Sequence, residues 1–161
     1  MKQRDIFAGA VAGLAGGLAA SFVMSGFQNA LSALRDERST GSKEIPANEK
    51  AAIKISEGGL GHKLTKTDRK EAGEAIHYAM GGLSGMMYGA AAELVPMSSV
   101  GSGLPFGTAV WLIADDVAVP ALGLSKPASE FPISTHAYAL ASHLVYGFTT
   151  EIVRRALRKV L

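Results

Sequence analysis

IFAGAVAGLAGGLAASFVMSGFQNALSAL, residues 6–34, runs for 29 residues without an Asp, Glu, Lys, Arg or His. A hydrocarbon core about 30 Å thick is crossed by about 20 apolar helical residues, so this stretch has length to spare. Three further apolar stretches follow, at 75–95, 103–123 and 133–153. The charged residues gather mainly in 35–74 and in the two tails. The expected fold is an all-α integral membrane bundle, one domain over 1–161, with four transmembrane helices and an amphipathic helical connector at 35–74.

The composition narrows the classes of function. Sixteen basic and 14 acidic residues give a net charge of +2, with no long basic patch, so nucleic acid is not an expected partner. There are no cysteines, which excludes disulfides, thiolate metal sites and lipoprotein anchoring. Lys2, Arg4 and the Leu18-Ala19-Ala20-Ser21 stretch resemble a secretory signal. A signal core is about 7–15 residues, however, and this one is about twice that, so a retained helix is expected.

Glycine spacing suggests how the helices pack. Gly9, Gly13 and Gly17 recur every four residues, as do Gly81, Gly85 and Gly89, and Gly103 and Gly107 repeat the spacing. Small residues on one helix face let two backbones approach closely, which is how helices pair in lipid. These faces are expected to meet one another or a second copy, in a homo-oligomer or a larger membrane complex.

Local signals mark the ends. Ser39–Ser42 reads as a turn, Pro46 opens a short helix at 47–57, and Gly58, Gly59 and Gly61 break it. Thr67-Asp68 reads as the N-cap of the helix leading into the second span, and Ser134 or Thr135 as the cap of the fourth. Pro96 ends the second span, and Pro120 kinks or ends the third. Four spans put both termini on one face of the membrane. The ten basic residues of the connector side outnumber those of the terminal side and favour the connector in the cytoplasm. Local density beside the helix ends, Arg154, Arg155, Arg158 and Lys159 among them, favours the termini there, which is the orientation expected.

Ionisable residues inside a span are costly and are functional candidates by default. With alternating helix direction and about 1.5 Å rise per residue, His77, Asp115, Asp116, His136 and His143 converge toward the connector side, while Glu93 and Glu151 fall toward the terminal side. Glu151 can pair with Arg154 or Arg155. Asp115 and Asp116 are about 100° apart on an α-helix, so at most one points fully at the polar stripe His136–His143–Gly147–Glu151. The cluster reads as a proton relay or ion path, or as an architectural lock between helices. A metal site reads less well: no H-E-x-x-H motif is present, and neither metal nor cofactor is expected. Ser142 and His143 are adjacent and diverge on a helix, no G-x-S-x-G or phosphate loop occurs, and no catalytic residue is assigned.

Three segments carry a resemblance: His77-Tyr78-Ala79-Met80-Gly81 through Tyr88-Gly89, WLIADDVAVPALGLSKP at 111–127, and STHAYALASHLVYGFTTEIVRR at 134–155. Across most of its length the chain resembles the YagU-like family of small bacterial inner-membrane proteins of uncharacterised function. That family commonly has Asp-Glu where this chain has Asp115-Asp116. The resemblance implies a multi-pass protein of the bacterial cytoplasmic membrane and implies no reaction, cofactor or catalytic residue. Proton or ion handling through the Asp/His cluster is the leading functional expectation. The alternatives are a non-catalytic accessory subunit packing through its glycine faces and, last, an intramembrane metal-dependent enzyme.

Overall fold

The computed structural model describes residues 5–36 and 45–161. The expected turn at Ser39–Ser42 lies outside the described residues. Among the described residues the regular structure is helical, with no strand. α1 spans Ile6–Asp36 and α2 Ala47–Ile55, continued by a π-helical turn at Ser56–Leu60. α3 spans Lys66–Leu94. α4 (Leu104–Trp111), a π-helical stretch Leu112–Ala118 and the short α5 (Val119–Ala121) form one continuous rod, and α6 spans Ile133–Leu157. α1 packs against both α3 and α6, α4 packs on α6, and α2 lies on α3.

The glycines explain this arrangement. Gly9 faces Gly89, Gly13 faces Gly85 and Gly17 faces Gly81, so α1 and α3 run antiparallel with their backbones in contact. A Cβ on Gly13 would fall onto the Gly85 carbonyl oxygen and lie 2.8 Å from the Gly89 Cα. α4 meets α6 in the same way, with Gly103 against Gly147 and Gly107 against the His143 carbonyl. Gly103 also has a φ of 82°, a left-handed conformation that favours glycine, so one residue both turns the chain and admits α6. Gly147, assigned by sequence to a polar stripe, is a packing residue. Gly16 brings α1 against the Thr150 carbonyl of α6. Tyr146 fills the centre, where its hydroxyl donates to the Gly81 carbonyl at 2.6 Å. Tyr88 stacks on Phe106 with ring centroids 4.1 Å apart, joining α3 to α4.

Polar and apolar side chains are distributed in reverse of a water-soluble bundle. Ser21, Ser142, Thr150 and Glu151 are almost wholly buried. The three hydroxyls donate to the carbonyls four residues back, at 3.0, 2.9 and 2.8 Å, which satisfies them without water. Phe7, Phe22, Met87, Ile113 and Val117 point outward, with Phe7 79% and Phe22 70% exposed. Two helical segments, Ile6–Ala33 and Leu104–Ala121, are long and apolar enough to cross a membrane. The second and fourth expected spans do not stand out this way, because α3 and α6 supply the polar interior: His77, Glu93, His143 and Glu151.

Two helix starts differ from expectation, and one helix end meets it with an added feature. α3 begins at Lys66, and its cap is Thr65 rather than Thr67. The Thr65 hydroxyl accepts the Asp68 N–H at 3.2 Å, and the Asp68 carboxylate accepts the Thr65 N–H at 3.1 Å. This reciprocal box satisfies two amides at once, which Thr67 could not do. α6 starts at Ile133 behind Pro132, with no side-chain cap, so neither Ser134 nor Thr135 takes that role. The rod carrying Asp115 and Asp116 does end at Ala121, just past Pro120, but the helix before it has widened to π geometry. Proline lacks the N–H that would close the preceding turn.

Candidate functional site

Two polar centres lie at opposite ends of the bundle. At the connector end, α6 enters the bundle beside the π-helical stretch. Asp116 Oδ1 lies 3.6 Å from His136 Nδ1, and Asp115 Oδ2 lies 3.7 Å from His143 Nδ1. Two adjacent acids thus reach two histidines whose positions on α6 are about 10 Å apart along the axis. Sequence reasoning allowed only one acid to face α6. The π-helical stretch, a form frequent at functional sites, turns both toward it.

Backbone carbonyls set the state of each imidazole. His136 Nε2–H donates to the Ala128 carbonyl at 3.0 Å. In the neutral ring Nδ1 then presents its lone pair to Asp116, also an acceptor. With a proton on Nδ1 the same contact becomes an attraction between opposite charges. His143 uses Nδ1–H to donate to the Ala139 carbonyl at 2.9 Å, so the contact with Asp115 is ionic when the ring is charged. Trp111 lies edge-on to His136, with centroids 6.3 Å apart.

Both pairs line a cavity of about 570 Å³, within the range of small-molecule sites. Gln28 of α1, Lys50 of α2 and Tyr138 of α6 share its walls with Val119, Leu124 and Phe131. α2 is held over the cavity by Lys54, whose ammonium donates to the Leu122 carbonyl at 2.9 Å. The close approach of Glu49 to Gly73 seats α2 on α3. His77, expected in the cluster, does not line the cavity. Its ring packs edge-on to Tyr78, and its buried Nε2 has no hydrogen-bond partner among the described residues. Among those residues no three His, Cys, Asp or Glu side chains converge to hold a metal ion.

At the terminal end Glu151 is 1% exposed and is paired by Arg154, whose Nε and Nη2 donate at 2.7 and 3.0 Å. Arg155 adds a third bond at 2.5 Å. Arg158 clamps Glu93 in the same bidentate fashion at 2.8 and 3.0 Å, and Arg154 lies 3.7 Å from Glu93. Spacing within one helix announced the Glu151 pairs. The link from Glu93 to Arg158 joins α3 to α6 across 65 residues, and no local pattern signals it.

The fold and its two polar ends define a class: an all-helical bundle with outward apolar faces, a charged network at one end and an acid–imidazole cavity at the other. Residues 19–152 match the model of the family described as protein of unknown function (DUF1440), and the chain belongs to that family. No curated protein and no solved structure matches the chain.

Proposed function

We propose that this chain is a four-span protein of the bacterial inner membrane, as its likeness to the YagU-like family implies, and that it holds and passes protons at the Asp–His pairs of its cavity. The observation that carries the reading is the Asp116–His136 contact. Two acceptors face each other across 3.6 Å inside a bundle whose outer side chains are apolar, and one proton is what makes such a contact favourable. The inverted burial pattern supports lipid as the surrounding solvent, since large exposed apolar faces in contact with water are unusual. α3 and α6, at 29 and 25 residues, are about 44 and 38 Å long, enough to span despite their inward polar groups.

The accessory reading, docking through glycine faces, has less support, because all eight of those glycines pack within the chain itself. The metal-enzyme reading lacks a converging ligand set among the described residues. The test is proton flux into liposomes that contain the purified protein and a trapped pH-sensitive dye. The unmodified protein is expected to dissipate an imposed pH step, and Asp115→Asn with Asp116→Asn to abolish this while keeping the helical circular dichroism. No flux from the unmodified protein would overturn the reading.

A further inference from the structure

The cavity has charges of both signs on separate walls. Asp115 and Asp116 belong to the π-helical stretch and Lys50 to α2, and all three line the cavity. Among the described residues Lys50 forms no ion pair with either carboxylate, so more than 4.0 Å separates its ammonium from both. Its neighbour one turn along, Lys54, is committed to the Leu122 carbonyl and fixes α2 in place. Val119, Leu124 and Phe131 add apolar lining to the same cavity. Opposite charges that line one space without pairing to each other leave room for a ligand that meets both.

We propose that this cavity binds a small zwitterion, its primary ammonium held by Asp115 and Asp116 and its anionic oxygen group by Lys50. The inference rests on the reading of the cavity as the working site. A simple amine would place a second cation in the same space as Lys50, and a simple anion would face two carboxylates. A molecule carrying both charges a few bonds apart answers both walls. A free solute and a phospholipid headgroup with ammonium and phosphate share this chemistry.

Trp111, the only tryptophan, packs against His136 and reports occupancy through its fluorescence. The full chain in phosphatidylcholine nanodiscs is titrated with β-alanine, O-phosphoethanolamine and ethylamine. At least one zwitterion is expected to bind about tenfold or more tighter than ethylamine, the gain from one charge-assisted contact. Lys50→Gln is expected to erase that preference and Lys50→Arg to retain it, with unchanged circular dichroism in both. Equal binding of zwitterions and amine to the unmodified protein, no binding of any of them, or an undiminished preference in Lys50→Gln overturns the proposal. Repeating the titration in phosphatidylethanolamine discs identifies the source: a lost O-phosphoethanolamine response supports a headgroup, and an unchanged one supports a free solute. The ligand-free proton flux test does not depend on Lys50, so failure of the proton reading and failure of the zwitterion are separately visible.

Discussion

The two ends of this bundle contain the same kinds of side chain and treat them in opposite ways. At the terminal end Glu151 and Glu93 each meet a guanidinium fork in bidentate geometry, and both carboxylates are largely shielded from solvent. At the connector end the carboxylates face imidazoles at 3.6 and 3.7 Å, beyond ordinary hydrogen-bond distance, beside open space. Arginine stays charged at any accessible pH, whereas histidine changes charge near neutrality. The permanent cations are therefore where the helices are clamped together, and the titratable ones are where there is room for something to change.

The sharpest way to break this contrast is to remove a carboxylate at each end. Glu151→Ala leaves the Arg154 guanidinium, 7% exposed, without its main partner. Stranding one member of a buried pair is expected to lower stability by about 3 kcal/mol, read as a drop in the thermal midpoint of the detergent-solubilised protein. Asp116→Asn is expected to change that midpoint far less. Comparable losses of stability at the two ends would refute the division between clamp and working site.

Next in size are the glycine crossings that join the ends. Gly13→Val drives a side chain into the Gly85 carbonyl, where backbone cannot rotate away as a side chain could. Overpacking of this kind costs about 1–3 kcal/mol. Gly26, with nothing within 4 Å, is the internal control: Gly26→Ala is expected to leave the midpoint unchanged or raise it slightly. Equal effects at both positions would show that backbone contact does not hold α1 to α3.

The smallest effects belong to the cap of α3, which lies outside both centres. Thr65→Ala is expected to cost about 1 kcal/mol, read as faster amide exchange in the first turn. Hydrogen bonds from the Thr65 side chain and then its backbone hold the Asp68 carboxyl below the usual Asp range. A depressed folded value means that the stabilisation is fully present above the ordinary Asp pKa, about 4, and is lost as pH falls through the folded one. Exchange protection at Asp68 is therefore expected to be flat from neutral pH to about 4 and to decline below it.

Much of the bundle was legible because closely packed helices advertise their contacts locally. Gly9, Gly13 and Gly17 predict a close face from spacing alone, and the matching triplet at Gly81, Gly85 and Gly89 names a partner face. Depth along alternating helices brought Asp115, Asp116, His136 and His143 to the connector end. The pairing of each acid with its own histidine was not readable, because it depends on the π-helical widening ahead of Pro120, and a 100° step per residue assumes a regular α-helix. His77 was placed at the right level, near enough to Asp115 to act on its carboxylate, but not on the cavity wall, since rotation about the α3 axis is fixed by the glycine contacts one turn to either side, at Gly73 and Gly81. The cap at Thr65 was misread by two residues because Thr67 and Thr65 offer the same hydroxyl, and only the reciprocal reach of Asp68 separates them. Lys50 went unremarked among ten basic residues of the connector side, and nothing in its sequence neighbourhood marks it as facing inward.

The glycine ladder between α1 and α3 has a period of one helical turn. Displacing α1 by four residues, about 6 Å, would set Gly13 against Gly89 and Gly17 against Gly85, with two of the three rungs still matched. The seam therefore permits more than one alignment and does not itself select among them. Selection falls to aperiodic contacts made by the α1 segment: the Asp5 amide 3.4 Å from the Glu93 carboxylate, and Gly16 against the Thr150 carbonyl of α6. In this molecule the ladder works as a toothed rack, and those two contacts act as the pawl that stops it slipping.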